Sequence, residues 1–334
     1  MYEQIQSNRI RSIVLEVGMA ALLLAVGYAI GVIFTGDGTG GVIVAVLVWA
    51  ALTLVAYFQG DKVLLAVSRA RKVTHEDYPQ LYNVVEEMQI AAGLPKMPDV
   101  YVIDDPSPNA FATGRDPNRS ALAVTTGLLQ RLNRDELQGV IAHEISHVVN
   151  RDVLLMTLAG VVLGAIVILS WYATRRAFFG GMGRSRRGGG GGSGQIIIAI
   201  IGLILIVLAP IFAQLIYFAI SRRREYLADA SGALYTRYPE GLASALEKIA
   251  ASPTPVQAAN QATAPMYIVN PFRRRPAEAG AQPTGLLSTH PPIEDRIRVL
   301  RAMAGGASLA DYDRAYRQLH AGQGIVPPSA TGRQ

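Results

Sequence analysis

Hydrophobic positions along this 334-residue chain follow two regimes. Long uncharged runs alternate with stretches in which apolar residues recur at helix or strand spacing. Four runs stand out: Val17–Phe34, Gly41–Phe58, Val153–Ala173 and Ile196–Ile220. Each is close to the roughly 20 apolar residues that a helix needs to cross a bilayer core. The first two are separated by Thr35-Gly-Asp-Gly-Thr-Gly40, which reads as a tight turn. Arg9 and Arg11 precede the first run, as they would in a signal peptide, but no small-residue cleavage pattern follows and a second run comes at once. The pattern predicts a retained helical hairpin. Arg9 and Arg11 on one flank and Lys62, Arg69, Arg71 and Lys72 on the other predict that both ends of the hairpin are cytoplasmic.

Between the runs the periodicity shortens. Leu81, Val84, Val85 and Met88 predict a helix over Pro79–Ala92. Val100–Ile103 and Ala121–Thr125 predict short strands. Asn133 followed three residues later by Glu136 is a helix start with a capping box.

That last helix carries the most informative residues of the chain, His143-Glu144-Ile145-Ser146-His147. Two histidines four apart lie one turn above each other, so both imidazoles can grip one zinc ion. Glu144 faces the same open side, where a carboxylate can take a proton from an activated water. A zinc held by two histidines needs a third protein ligand. Ser221-Arg-Arg-Arg-Glu225-Tyr-Leu-Ala-Asp229 supplies a candidate, because Glu225 and Asp229 also share one helical face. Glu225 would give a carboxylate oxygen to the metal, and Asp229 would hold the other nitrogen of His143. One Zn2+ per chain is expected.

This site constrains the second pair of apolar runs. His147 and Glu225 must lie on one side of the membrane, so the runs between them cross twice or not at all. Two crossings put Arg175, Arg176, Arg184, Arg186 and Arg187 outside, against the positive-inside tendency. A shallow or re-entrant hairpin is the alternative. Gly188–Gly192 reads as a flexible linker inside that loop.

Composition changes the picture little. Half the residues are hydrophobic and 17% are charged, against about 25% in ordinary soluble domains. The net charge of +6 lies in juxtamembrane stretches, which points to anionic lipid rather than nucleic acid. No cysteine is present, which excludes disulfides and thiolate metal sites.

In its motifs the chain resembles the HtpX family of integral-membrane zinc metalloproteases. The matching pieces are Asn109-Ala-Phe-Ala-Thr-Gly114, the His143–His147 helix, Arg224-Glu-Tyr-Leu-Ala-Asp229, Tyr267-Ile-Val-Asn-Pro271 and Ser288-Thr-His-Pro-Pro-Ile-Glu-Asp-Arg-Ile297. The resemblance implies an α-helical integral membrane protein with an α+β zincin-type, gluzincin-like catalytic domain carrying a small β-sheet. The apolar runs divide the chain into five parts: a transmembrane hairpin (1–60), a first catalytic part (61–152), a second apolar hairpin (153–220), a second catalytic part (221–303) and a C-terminal extension, partly disordered (304–334), which departs from the family pattern. Asn109, Ala110, Phe111 and Ala112 would border the cleft and bind substrate along a strand edge; a plain loop between core strands is the bland alternative. His290 or Arg296 would stabilise the oxyanion, or His290 would sit behind the metal site and Arg296 would tie the C-terminal helix to the core. His290-Pro-Pro would open a helix, and His75 and His320 would be surface residues. The implied activity is peptide hydrolysis with Glu144 as base, on polypeptide substrates drawn from misfolded or damaged membrane proteins, at the cytoplasmic face of the cell membrane and under stress. A processing protease for one defined substrate and a non-catalytic membrane scaffold are the other two readings.

Overall fold

A computed structural model describes residues 2–179, 193–254, 267–268, 291–303, 305–322, 324–326 and 331; side chains of 2–9, 11–12, 15, 177–179, 193–199 and 216–221 are not described. In chain order the elements are α1 (Tyr2–Thr35), α2 (Gly38–Val67), β1 (Arg71–Lys72), α3 (Pro79–Ala91), β2 (Asp99–Ile103), β3 (Ala110–Asp116), β4 (Arg119–Thr125), α4 (Thr126–Arg131), α5 (Arg134–Val149), α6 (Asp152–Phe179), α7 (Ser193–Thr236), α8 (Pro239–Ala250), α9 (Ile293–Arg301) and α10 (Leu309–Leu319). They form two compact units: residues 1–12, 57–157 and 218–334 in one, 13–56 and 158–217 in the other.

The second unit is built from the apolar runs. Three helices of the described residues are long and apolar enough to cross a membrane: Glu16–Thr35, Gly38–Val67 and Asp152–Arg176. The fourth run contributes a shorter described apolar stretch, Ile200–Leu215. The turn between α1 and α2 is only Gly36-Asp37, and the Asp37 carboxylate accepts the Thr39 and Gly40 N–H groups at 3.0 Å each, capping α2. Gly27 and Gly31 on α1 face Gly41 and Ala45 on α2; a Cβ on Gly31 would stand 2.9 Å from Gly41 Cα. Small residues four apart on both helices bring the backbones into contact, which is how helices associate where no hydrophobic drive separates helix from lipid. Val44, Leu47, Leu54, Ile168 and Ile201 stay exposed on these helices, as lipid-facing side chains do.

The first unit holds a four-stranded sheet of order β1-β2-β4-β3, in which β2 and β4 are parallel and the other pairs antiparallel. Period-two alternation gives the sheet two apolar faces. Val100, Val102, Ala110, Ala112, Leu122 and Val124 join the large core with α3, α5, α8 and α9. Ile103, Phe111, Ala121 and Ala123 form a small cluster with Tyr267 on the reverse face. Gly114, at φ +133°, sits at the irregularity that bends β3 away from β4.

α5 is the hub of this unit. Its capping box forms as the sequence predicts, with Asn133 Oδ1 accepting the Glu136 N–H and Glu136 Oε2 accepting the Asn133 N–H, both at 2.9 Å. Glu136 also receives Lys248 of α8 at 2.7 Å. Two glycines set the helix spacing around α5. A Cβ on Gly139 would lie 2.7 Å from the Leu242 nitrogen of α8, and one on Gly232 of α7 would lie 3.3 Å from the His143 nitrogen. α7 is one unbroken helix from its apolar part through the arginines to Asp229, so no loop separates the fourth run from the Glu225 segment. α9 begins at Ile293, one residue beyond the proline pair, rather than at it: Pro292 has ψ 127°, which is not helical.

Candidate metal centre

The histidines of α5 and the carboxylates of α7 converge. His143 Nε2 lies 3.6 Å from Glu225 Oε2, and His147 Nε2 lies 3.5 Å from Glu225 Oε1. One ligand atom from each of His143, His147 and Glu225 falls within 4.8 Å of the others, the size of a single-ion site. Each imidazole turns its other nitrogen to a carboxylate: His143 Nδ1 to Asp229 Oδ1 at 3.0 Å, His147 Nδ1 to Asp152 Oδ2 at 3.4 Å. Both Nε2 atoms are thereby directed at one point.

The donor set fits a zinc ion. His143 Nε2 is fully buried without a hydrogen-bond partner, a costly arrangement unless something else satisfies it. Two imidazoles and one carboxylate are the donors zinc takes in hydrolytic sites, leaving a position open. Burial pushes the His143 ring down in pKa, but Asp229 and Glu225 more than offset it and hold it at about 9. The same carboxylates make the ring a stronger metal donor.

Glu144 stands beside this cluster and outside it. Its Oε2 accepts the Ala112 N–H of β3 at 2.9 Å, and its buried Oε1 has no hydrogen-bond partner. Burial first, then the Glu225 charge, raises its pKa above the usual carboxylate value, although both histidines and the Ala112 N–H pull the other way. A cavity opens here between Ala112, Glu144, His147, Asp152, Met156 and Glu225.

Behind the ligands, Arg296 of α9 forks onto Asp229, Nε to Oδ2 at 2.8 Å and Nη2 to Oδ1 at 2.7 Å. Burial pushes the Asp229 carboxyl up; Arg296 and His143 bring it below its ordinary value. Arg296 Nη1 donates to the Ile268 carbonyl at 3.0 Å and lies 3.3 Å from Glu225 Oε2. With these partners Arg296 has the geometry of a tie between α9 and the ligand helix. His290 lies outside the described residues.

The cleft strand is more restricted than sequence suggests. The Asn109 carbonyl accepts the Thr125 N–H of β4, and alternation turns Phe111 the same way. Ala110 and Ala112 face the open edge. The Ala110 carbonyl already accepts the Ile268 N–H at 3.0 Å, and the Ala112 N–H goes to Glu144. Sequence reasoning also missed Asp152, Arg224 and a cluster in which Asp295 accepts Tyr226 at 2.6 Å and His320 at 2.8 Å. His320 is therefore no plain surface residue: its ring stacks on Tyr316 at 3.9 Å. His75 is exposed and pairs with Asn83.

Comparison with known proteins agrees with this geometry. Residues 75–304 match the model of peptidase family M48. The Protease HtpX homolog of Dictyoglomus turgidum is 48% identical over 90% of this chain and 94% of its own length. That of Dictyoglomus thermophilum is 48% identical over 93% and 97%, and that of Pyrococcus abyssi 47% identical over 88% and 96%. Among solved structures, S. mikatae Ste24p matches at 21% identity and a TM-score of 0.43, over 90% of this chain and 67% of that one. A match over two thirds of the chain, with near-full-length relatives close to half identical, places it: the chain belongs to peptidase family M48, among the HtpX homologues.

Proposed function

We propose that this membrane metalloprotease is a zinc-dependent endopeptidase, with His143, His147 and Glu225 as ligands, Glu144 as general base and Asp229 as the group that orients His143. The observation that carries the reading is the division of labour at one point. Three donors converge, while Glu144 holds back, one oxygen anchored by Ala112 and the other without a partner. Bound there, zinc supplies Lewis acidity, polarising a substrate carbonyl and making water acidic enough to react near neutral pH. Glu144 Oε1 takes the proton of the attacking water and passes it to the leaving amine. The Ala112 N–H fixes the carboxylate during both transfers.

Substrate binding along β3 belongs to the same reading. An extended polypeptide pairs through backbone groups with an unpartnered strand edge, which gives low sequence selectivity. With Ile268 on the Ala110 carbonyl, the edge open to substrate runs from the Ala112 carbonyl towards Gly114. Low selectivity in a chain that carries apolar helices suits quality control of damaged membrane proteins, in the cell membrane with the site at the cytoplasmic face. The flanking Lys and Arg residues support that orientation.

The test is digestion of casein and of a model membrane protein by the purified chain in detergent. Glu144→Gln should abolish cleavage while zinc stays near one per chain; substantial remaining activity would remove Glu144 from the mechanism. Single cysteines at Ser185 and Ser288 of this cysteine-free chain test the topology with an impermeant reagent on intact cells. Labelling at Ser288 would overturn the cytoplasmic site.

A further inference from the structure

The two histidines are treated alike by their surroundings. Asp229 lies against His143 Nδ1 and is gripped by Arg296. Asp152 lies against His147 Nδ1, and its other oxygen, Oδ1, is 3.5 Å from Arg224 Nε. We propose that Asp152 and Arg224 form a second positioning pair, which fixes the ring of His147 for the metal as Asp229 and Arg296 fix that of His143. The proposal rests on the zinc reading above and deepens it.

Three observations support it. Asp152 and Arg224 are 2% and 4% exposed, so the carboxylate is buried deeply enough that it needs charged or hydrogen-bonding partners. His147 needs an external hold, because its side chain is 12% exposed and faces the cavity. The backbone is shaped to provide one. Asp152 follows His147 by five residues, a spacing that on a continuous helix would turn it away from the ring. The chain instead breaks at Asn150-Arg151, and Arg151 takes φ +59°, a left-handed conformation that residues other than glycine rarely adopt. That turn starts α6 at Asp152 and brings its carboxylate back under His147. Arg224 immediately precedes Glu225, so the pair also links the third ligand's helix to the second ligand's ring.

In this arrangement Asp152 touches no reacting atom. It accepts the Nδ1 hydrogen, selects the tautomer that leaves Nε2 for the metal, and limits rotation of the ring. Arg224 holds the carboxylate in place. A purely structural ion pair would stabilise the start of α6 without altering metal binding, and this difference decides the experiment.

Full-length protein in detergent would be prepared as wild type, Asp152→Ala, Asp152→Asn and His143→Ala. Zinc affinity would be read by competition with a chromogenic chelator, and ligand geometry by the visible spectrum after cobalt substitution. Asp152→Ala should weaken zinc binding about 10–100-fold and shift the cobalt bands. Its kcat should fall with KM little changed. Asp152→Asn should recover part of each loss, because its carbonyl oxygen still accepts the Nδ1 hydrogen; it also serves as the readout if the alanine variant does not fold. Wild-type zinc affinity and cobalt spectrum in both Asp152 variants, with His143→Ala losing both, would overturn this inference and leave the zinc site standing. Undiminished metal binding by His143→Ala would overturn the zinc reading and this inference with it.

Discussion

Replacing Arg296 by methionine probes a fully buried charge cluster. Arg296 is 1% exposed and Asp229 0%, and the guanidinium gives Asp229 two short hydrogen bonds. Methionine keeps much of the apolar stem and removes every donor. Asp229 is then left as a buried carboxylate with His143 as its remaining partner, and the Ile268 carbonyl loses its Arg296 donor. Breaking a buried pair from one side costs about 3–5 kcal/mol, because one charge stays behind uncompensated. In a unit of this size each kcal/mol moves the melting temperature by about 2–4 °C, so the expected drop is roughly 6–20 °C.

The assay is thermal unfolding in detergent with chelator present throughout, so that altered metal binding does not enter. Arg296→Lys should fall in between, since an ammonium keeps the charge and loses the fork. The double variant Arg296→Met/Asp229→Asn should regain part of the loss, because the stranded group is then neutral and still accepts from His143. A drop below about 2 °C for Arg296→Met, or a double variant worse than the sum of both changes, would refute the reasoning.

Two other outcomes follow from packing and charge. Gly139→Ala puts a Cβ 2.7 Å from backbone nitrogen of α8, which cannot yield as a side chain can, so stability should fall by about 1–3 kcal/mol; unchanged denaturant unfolding would show that α5 and α8 are not so closely packed. Burial pushes the Asp295 carboxyl up, but the Tyr226 hydroxyl and His320 bring it below its usual 3.8. Its stabilising contribution is therefore complete above that value and lost as pH falls through the lower folded one. Amide exchange in α10 should accelerate in that acid window, and Asp295→Asn should show faster exchange already at pH 7; unaltered exchange in that variant counts against the tie.

The candidate metal ligands were legible because their signal is local. Residues four apart on a helix share a face whatever the fold, so His143 with His147 and Glu225 with Asp229 announce themselves. The capping box at Asn133 and the strands at Val100 and Ala121 are equally local. Asp152 was hidden because it reaches His147 only through the left-handed turn at Arg151, which no periodicity encodes. Ile268 on the Ala110 carbonyl was hidden for another reason: backbone pairing between segments 158 positions apart leaves no side-chain signature. Tyr226, Asp295 and His320 carry ordinary polar side chains, and only the packing of α10 on α9 and α7 brings them together.

The buried charges around the candidate site bear on the charge of the ion that it could hold. Glu144, Glu225, Asp229 and Asp152 bring four carboxylates into one buried region, and Arg296 and Arg224 bring two guanidinium groups. Among these described side chains, with neutral imidazoles, carboxylates outnumber guanidinium groups by two. A low-dielectric interior does not tolerate that excess, and it must be met by protons or by a cation. Among the protein groups alone, Asp229 and Glu225 hold His143 at about 9 against its burial, and burial first, then the Glu225 charge, raises Glu144 above the ordinary carboxylate range. One divalent cation held by His143, His147 and Glu225 would neutralise the excess without protonating any of the three. The arginines are as necessary to this balance as the carboxylates, because without them the surplus would double and one ion would not suffice. On this reading the charge of the ion is matched to side chains that would not touch it.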